Sequence, residues 1–158
     1  ERVRSLIANQ TKKKIKGTRD YDLSLPEVLA DRDQLIQGIL NICANAVQAM
    51  TENKEFFIQH QPELILRTRI QRLFTINGVI HRSVVRIDIE DNGPGVPEDI
   101  IESVFYPLVT SRAKGTGLGL SIAQNIIHQH NGMIECQSVA GKTVFSLYLP
   151  WESNHVAK

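Results

Sequence analysis

A chain of 158 residues that is 42% hydrophobic and 22% charged has the composition of one globular domain, with room for a short tail but not for a second domain. Wholesale disorder and collagen-like repeats are excluded, no apolar run approaches the roughly 18 residues of a membrane span, and no signal peptide opens the chain. The formal net charge of +1 conceals an uneven distribution: residues 1–19 hold seven Lys/Arg against Glu1 alone, while the remaining 139 hold eleven against sixteen Asp/Glu. A basic arm on an acidic body raises nucleic acid or an anionic membrane as partners. No aromatic platform interleaves Lys12, Lys13, Lys14 and Lys16, so the arm reads as a solvated linker and neither partner is expected. The two cysteines, Cys43 and Cys136, form no Cys-x-x-Cys and no zinc-spaced set with histidine, which argues against a disulfide framework or structural metal and suits a reducing compartment. Glu1 stands where Met would open a complete chain, so a fragment of something longer is expected.

Residues 2–10 read as the tail of a helix, and residues 14–23 as a strand closed by Pro26. Asp31, with Gln34 three residues on, is an N-cap signature for an apolar helix to about Met50. A polar connection over 51–62 leads to two alternating runs, 64–76 and 79–90, that flank Asn77-Gly78. Asn-Gly between alternating runs marks a hairpin, because both central residues must take positive φ. Asp91-Asn92-Gly93-Pro94-Gly95 ends the second strand, and Pro97 suits the first turn of a short helix through Glu102. After a loop, helical spacing resumes at Leu118, Ile122, Ile126 and Ile127 and stops at Asn131-Gly132. Residues 133–139 and 143–149 form a last hairpin turning at Ala140-Gly141, and a polar, frayed tail follows Pro150. The economical packing is an α/β two-layer sandwich: a mixed sheet of about five strands with three helices on one face.

Chemistry is concentrated in two glycine-rich loops, at Gly93 and Gly95 and at Gly115, Gly117 and Gly119. Glycine is costly unless backbone must approach something closely or take positive φ, and the second loop opens a helix, where N–H groups and the dipole favour phosphate. Either loop alone reads equally as a tight turn. A P-loop is excluded, since Cys136 stands where Gly141-Lys142-Thr143 would need its first glycine, and Leu120 stands where a Rossmann fingerprint would need its third. Gln37, Asn41, Asn45 and Gln48 form one stripe on the 35–50 helix. Carboxamides there can offer oxygen to Mg²⁺ and nitrogen to phosphate, or can simply face solvent. Asp91, closing its strand, can accept the exocyclic amine of adenine, and Asp-Asn-Gly is also an ordinary turn. His128 and His130 splay apart on a helix and are read as surface.

Asn41-x-x-x-Asn45-Ala46, Asp91-x-Gly93-x-Gly95, Phe105-Tyr106-Pro107 and Gly115-Thr116-Gly117-Leu118-Gly119-Leu120 come in that order. Together they resemble the N, G1, F and G2 boxes of the catalytic ATP-binding domain of sensor histidine kinases, whose fold is the Bergerat ATPase fold. Gly141-Lys142-Thr143-Val144-Phe145, ending at Leu149-Pro150, resembles that family's last hairpin. Arg67-Thr68-Arg69, Arg86-Ile87-Asp88-Ile89-Glu90-Asp91 and the short lid from Pro107 to Gly115 look most like the nitrogen-regulation sensor kinases of enteric-type bacteria.

The resemblance implies roles. Asp91 would bind the adenine amine, Gly93 and Gly95 would let backbone approach the base, and Thr143 would support the contact through water. Asn45 would ligate Mg²⁺ and Asn41 would assist with phosphate. Gly115, Thr116, Gly117, Leu118 and Gly119 would cradle the phosphates of ATP. Arg112 and Lys114, in the segment resembling the family's mobile lid, would neutralise γ-phosphate charge, or else face solvent. Relatives of this fold that hydrolyse ATP (DNA gyrase, mismatch-repair ATPases, heat-shock chaperones) carry a Glu one turn before the metal-binding Asn. Here that position is Asn41, which is no base, so transfer to a separate nucleophile is favoured over hydrolysis. None of His60, His81, His128, His130 and His155 is followed by the acidic residue and downstream proline of a phospho-acceptor helix. The expected organisation is therefore residues 1–12 as the tail of an upstream dimerisation region, 13–150 as the catalytic domain and 151–158 as a tail. The fragment is expected to be monomeric and cytoplasmic. The implied partners are a histidine-bearing dimerisation domain, a response regulator and a PII-type signal protein. A nucleotide-sensing module without transfer, and an anti-sigma-factor-type serine kinase, are the alternatives.

Overall fold

In the computed structural model, which describes residues 1–10, 15–106 and 119–151, Asn77 (φ 48°) and Gly78 (φ 78°) both take the left-handed conformation the hairpin demands. In chain order the elements are α1 (Arg2–Gln10), β1 (Lys16–Tyr21), α2 (Arg32–Glu52), β2 (Glu63–Ile76), β3 (Val79–Asp91), α3 (Gly119–Gln129), β4 (Met133–Val139) and β5 (Lys142–Pro150). The Asp31 side chain accepts from the Gln34 amide at the start of α2, as its spacing predicts. Five strands form one sheet in the order β1-β2-β3-β5-β4, parallel between β1 and β2 and antiparallel elsewhere. The short helix expected from Pro97 to Glu102 is instead a single 3₁₀ turn at Ile101–Ser103, too brief to repay helix nucleation.

The sheet's helix-bearing face presents Leu64, Leu66, Ile89, Phe145, Leu147 and Leu149 to Ile42, Cys43, Ala46 and Met50 of α2 and to Leu120, Ala123 and Ile127 of α3. Burying each large apolar side chain contributes about 1.5–3 kcal/mol, and this layer is the main core. Residues 2–10, read from sequence as the tail of a helix, are helical as α1; what differs is that Val3 and Ile7 are buried in the same core and do not stand ahead of the fold. Lys16 pairs with Glu63 at 3.3 Å, whereas Lys12, Lys13 and Lys14 lie outside the described residues.

Three further features differ from the sequence reading. Leu73 takes φ 50°, the Leu73–Arg82 rung of the β2–β3 ladder is missing, and beyond it Phe74 stacks on Tyr148 (ring centroids 4.2 Å apart) in a small second core on the opposite face. His130 is not a bare surface residue. Its Nδ1 lies 2.8 Å from the Ile126 carbonyl oxygen, and its Nε2 accepts from the Asp31 amide at 3.0 Å, tying the end of α3 to the start of α2. Trp151, expected in a frayed tail, donates its indole N–H to the Glu27 carbonyl at 3.1 Å. No helix among the described residues is long and apolar enough to cross a membrane.

Candidate functional site

Sheet register assembles the first part of the site. Asp91 at the end of β3 lies opposite Leu64 on one side and Thr143 of β5 on the other, and Thr143 lies opposite Ser138 of β4. These four residues form one row across the sheet, on the face that carries the helices. The neighbouring row, Leu66, Ile89, Phe145 and Cys136, is an apolar floor. Asp91 and Thr143 are both buried.

A carboxylate in that position has lost most of its water. Burial raises the Asp91 pKa from 3.8 to about 6, the Gly93 N–H pulls it back, and the neighbouring charge of Glu90 adds to the rise. One Asp91 oxygen accepts from the Gly93 amide at 2.9 Å, and a carboxylate has lone pairs to accept more. Burial and the charge of Asp91 push the Cys136 thiol up to about 12, so it stays protonated and unreactive at neutral pH.

The loop after Asp91 is tight for a steric reason. A Cβ on Gly93 would stand 2.9 Å from Asp91 Oδ1 and 3.6 Å from Met50 Cγ. Gly95 takes φ 96°, and a Cβ there would lie 3.0 Å from both Ser138 Oγ and the Val139 carbonyl oxygen. The bonds that pin the loop include Gly141 N–H to Gly93 O at 2.9 Å, Val96 N–H to Ser138 Oγ at 2.8 Å, Asn92 Nδ2 to Gln61 O at 2.9 Å and Glu63 N–H to Asn92 Oδ1 at 2.8 Å.

The second part of the site runs along α2. Gln37 Nε2 donates to Asn41 Oδ1 at 2.8 Å, which leaves the Asn41 amide nitrogen to act as a donor. Gln48 donates to Glu52 at 2.9 Å, so the carboxamide stripe is partly satisfied along its own helix. Asn41 and Asn45 are half-buried one turn apart. Gly119, the first residue of α3, comes up against Asn41, since a Cβ on it would be 4.0 Å from the Asn41 carbonyl oxygen. Met50, nine residues further along α2, reaches Gly93. Helix α2 thus links the start of α3 to the Asp91 loop over about 13 Å of rise.

The structure therefore brings Asp91, Gly93, Gly95 and Thr143 together at one end and Asn41 and Gly119 at the other, with Asn45 between. Arg112, Lys114, Gly115, Thr116, Gly117 and Leu118 lie outside the described residues. Sequence reasoning missed Ser138, Met50 and Cys136. For Ser138 a signal existed: a two-residue turn at Ala140-Gly141 pairs residue 139 with 142, and hence 138 with 143.

Residues 30–153 match the family described as "Histidine kinase-, DNA gyrase B-, and HSP90-like ATPase", and the chain belongs to that family. Its relatives include the protein named "Sensory histidine kinase/phosphatase NtrB" in Escherichia coli O157:H7, 47% identical over 150 residues, and its namesake in Vibrio alginolyticus, 44% identical over 150 residues. In both, 95% of this chain is matched to 41% of the relative, so the chain spans about two-fifths of the length of these proteins. Among solved structures, the nucleotide-free catalytic domain of histidine kinase ThkA aligns with a TM-score of 0.74 at 28% identity, covering 95% of this chain and 88% of that one. Full-length ShkA in complex with AMPPNP aligns with a TM-score of 0.72 at 25% identity, over 96% of this chain and 29% of that one. The five-stranded mixed sheet with its helices on one face is the fold of histidine-kinase ATPase domains.

Proposed function

We propose that this chain is the ATP-binding catalytic domain of a sensor histidine kinase of nitrogen regulation, binding Mg·ATP and donating its γ-phosphate to a histidine on a separate dimerisation domain. The observation that carries the reading is the buried Asp91 carboxylate, set at a strand end beside two glycines with no room for side chains. A purine fits such a place: the carboxylate accepts its exocyclic amine, Met50 and the apolar row give it a floor, and glycine backbone can approach its edge. The length of α2 between the Asp91 loop and the start of α3 suits an extended nucleoside triphosphate, with phosphates toward Asn41 and Gly119. The names of the relatives and the AMPPNP bound to ShkA support the same reading.

On this reading the Asn41 amide nitrogen donates to a phosphate oxygen, and Gly115, Thr116, Gly117, Leu118 and Gly119 offer backbone N–H groups to the rest. Arg112 and Lys114 neutralise the charge that gathers on the transferring phosphoryl group, and Thr143 orients water or base beside Asp91. Asn45 offers a hard carboxamide oxygen to Mg²⁺, a cation that keeps several waters and takes few protein ligands. Mg²⁺ would supply charge neutralisation along the triphosphate. Hydrolysis is disfavoured because Asn41 is neutral, and Glu52, two turns beyond Asn45, is exposed and bonded to Gln48. The catalytic domain is taken as residues 13–150, with 1–12 leading from the dimerisation region and 151–158 as a tail. A response regulator receives the phosphate, a PII-type protein modulates the kinase, and this domain is a cytoplasmic monomer.

Calorimetric titration with a non-hydrolysable ATP analogue, with and without Mg²⁺, tests this. The chain should bind, and lose at least about tenfold in affinity without Mg²⁺. Asn45→Ala should bind with that same weaker affinity in both conditions. A variant that keeps the full Mg²⁺ dependence would remove Asn45 as the ligand, and no binding by the unaltered chain would overturn the reading.

A further inference from the structure

We propose that Ser138 is a positioning residue for base recognition, holding the loop after Asp91 and the Thr143 hydroxyl in one fixed arrangement. The inference rests on the adenine reading of the Asp91 site and adds a residue to it. Ser138 Oγ accepts from the Val96 amide at 2.8 Å and lies 2.7 Å from Thr143 Oγ1. Its own hydroxyl hydrogen is not needed for the first bond, so it can be given to Thr143. Thr143 then directs its hydrogen elsewhere, along the row that it shares with Asp91. A single side chain therefore touches both halves of the site that grip the base edge: the loop 93–96 and the strand residue beside the carboxylate.

Sterics point the same way. Gly95, in its left-handed conformation, sits so close to Ser138 that a Cβ would stand 3.0 Å from the hydroxyl oxygen. The Gly93 carbonyl is bonded to the Gly141 amide in the turn that follows Ser138, so the loop and the β4–β5 hairpin are clamped at two points. Of these two, only the Ser138 clamp uses a side chain and only it reaches Thr143. Removing it frees the Val96 end of the loop and the Thr143 rotor together, while the backbone clamp and the sheet ladder remain. Ser138 is only half-buried, so its loss should disturb discrimination between bases more than it disturbs the fold.

The test compares the unaltered chain, Ser138→Ala, Thr143→Val and the double variant, titrated with ATP and with ITP, whose base has a carbonyl where adenine has the amine. Ser138→Ala should weaken ATP about tenfold and ITP far less, shrinking the ratio of the two affinities, with a melting temperature near that of the unaltered chain. In the Thr143→Val background the same change should cost only about half as much on a logarithmic scale, because the two hydroxyls act as one unit. Should Ser138→Ala fail to fold, Ser138→Cys, which keeps the shape and weakens both bonds, gives the same readout. Equal losses for ATP and ITP would mean a structural role only, and unchanged ATP affinity would overturn the inference directly. If the unaltered chain bound neither nucleotide, the adenine reading would fall first and this inference with it.

Discussion

Asp91→Asn should abolish most nucleotide binding and at the same time make the free chain more stable. The carboxylate accepts a donor from adenine far better than a carboxamide does, and a charge-assisted bond of this kind is worth about 1.5–3 kcal/mol, or roughly 10- to 150-fold in affinity. The stability change follows from the pKa. Asp91 titrates near 3.8 unfolded and about 6 folded, so between those values the folded state holds the extra proton. Stability is therefore lost as pH rises from about 4 through about 6, and the lost part stays lost above it, up to about 3 kcal/mol. Asparagine carries no charge to desolvate and can still accept from the Gly93 amide. The variant should melt higher than the unaltered chain at pH 7.5 and nearly level with it at pH 4. Nucleotide affinity of the unaltered chain should fall as pH drops through about 6, where Asp91 becomes protonated, and this fall should be absent in the variant. A variant that binds normally, or that melts lower at pH 7.5, would contradict the role of a desolvated, ionised Asp91.

Among the described glycines, Gly132→Ala should cause the largest loss of stability. Gly132 follows α3, and its amide bonds the Ile127 carbonyl at 2.9 Å as the chain turns into β4. A Cβ there would run into the Tyr148 carbonyl oxygen and stand 2.9 Å from Ile127 Cγ2 and 3.1 Å from Leu149 Cδ2. Backbone of a central strand cannot give way as a flexible side chain can, so overpacking at the upper end, about 3 kcal/mol, is expected. For a domain of this size that is roughly 6–12 °C in melting temperature. Gly17→Ala, where a Cβ meets nothing within 4 Å, is the control and should leave the melting temperature nearly unchanged. Equal melting of the two variants would show that the junction of α3 with β4 is looser than described.

Local chemistry made much of this fold legible. Asn77-Gly78 announces its hairpin because few residues accept positive φ, and Asp31 announces α2 because its side chain meets an amide three residues away. What stayed hidden depends on contacts between distant parts of the chain. His130 reads as surface until α3 is laid beside the start of α2, 99 residues earlier. Val3 and Ile7 look like part of a basic arm until a sheet exists for them to cover. The left-handed step at Leu73 has no sequence signal, since leucine is a residue that avoids it. At the site, Asp91, Gly93 and Gly95 stand out by residue type, whereas Ser138 is an unremarkable serine until register places it against Thr143 and Val96.

The measurement that tests the proposed donor role most directly is incubation of the chain with Mg²⁺ and ATP labelled at the γ-phosphate, alone and together with a separate histidine-bearing acceptor domain. Acid-labile phosphate should appear on the added domain and none on this chain, with little inorganic phosphate released when the chain is alone. Acid-labile label on the chain itself, or steady hydrolysis without an acceptor, would contradict the proposed transfer of the γ-phosphate to a histidine on a separate domain.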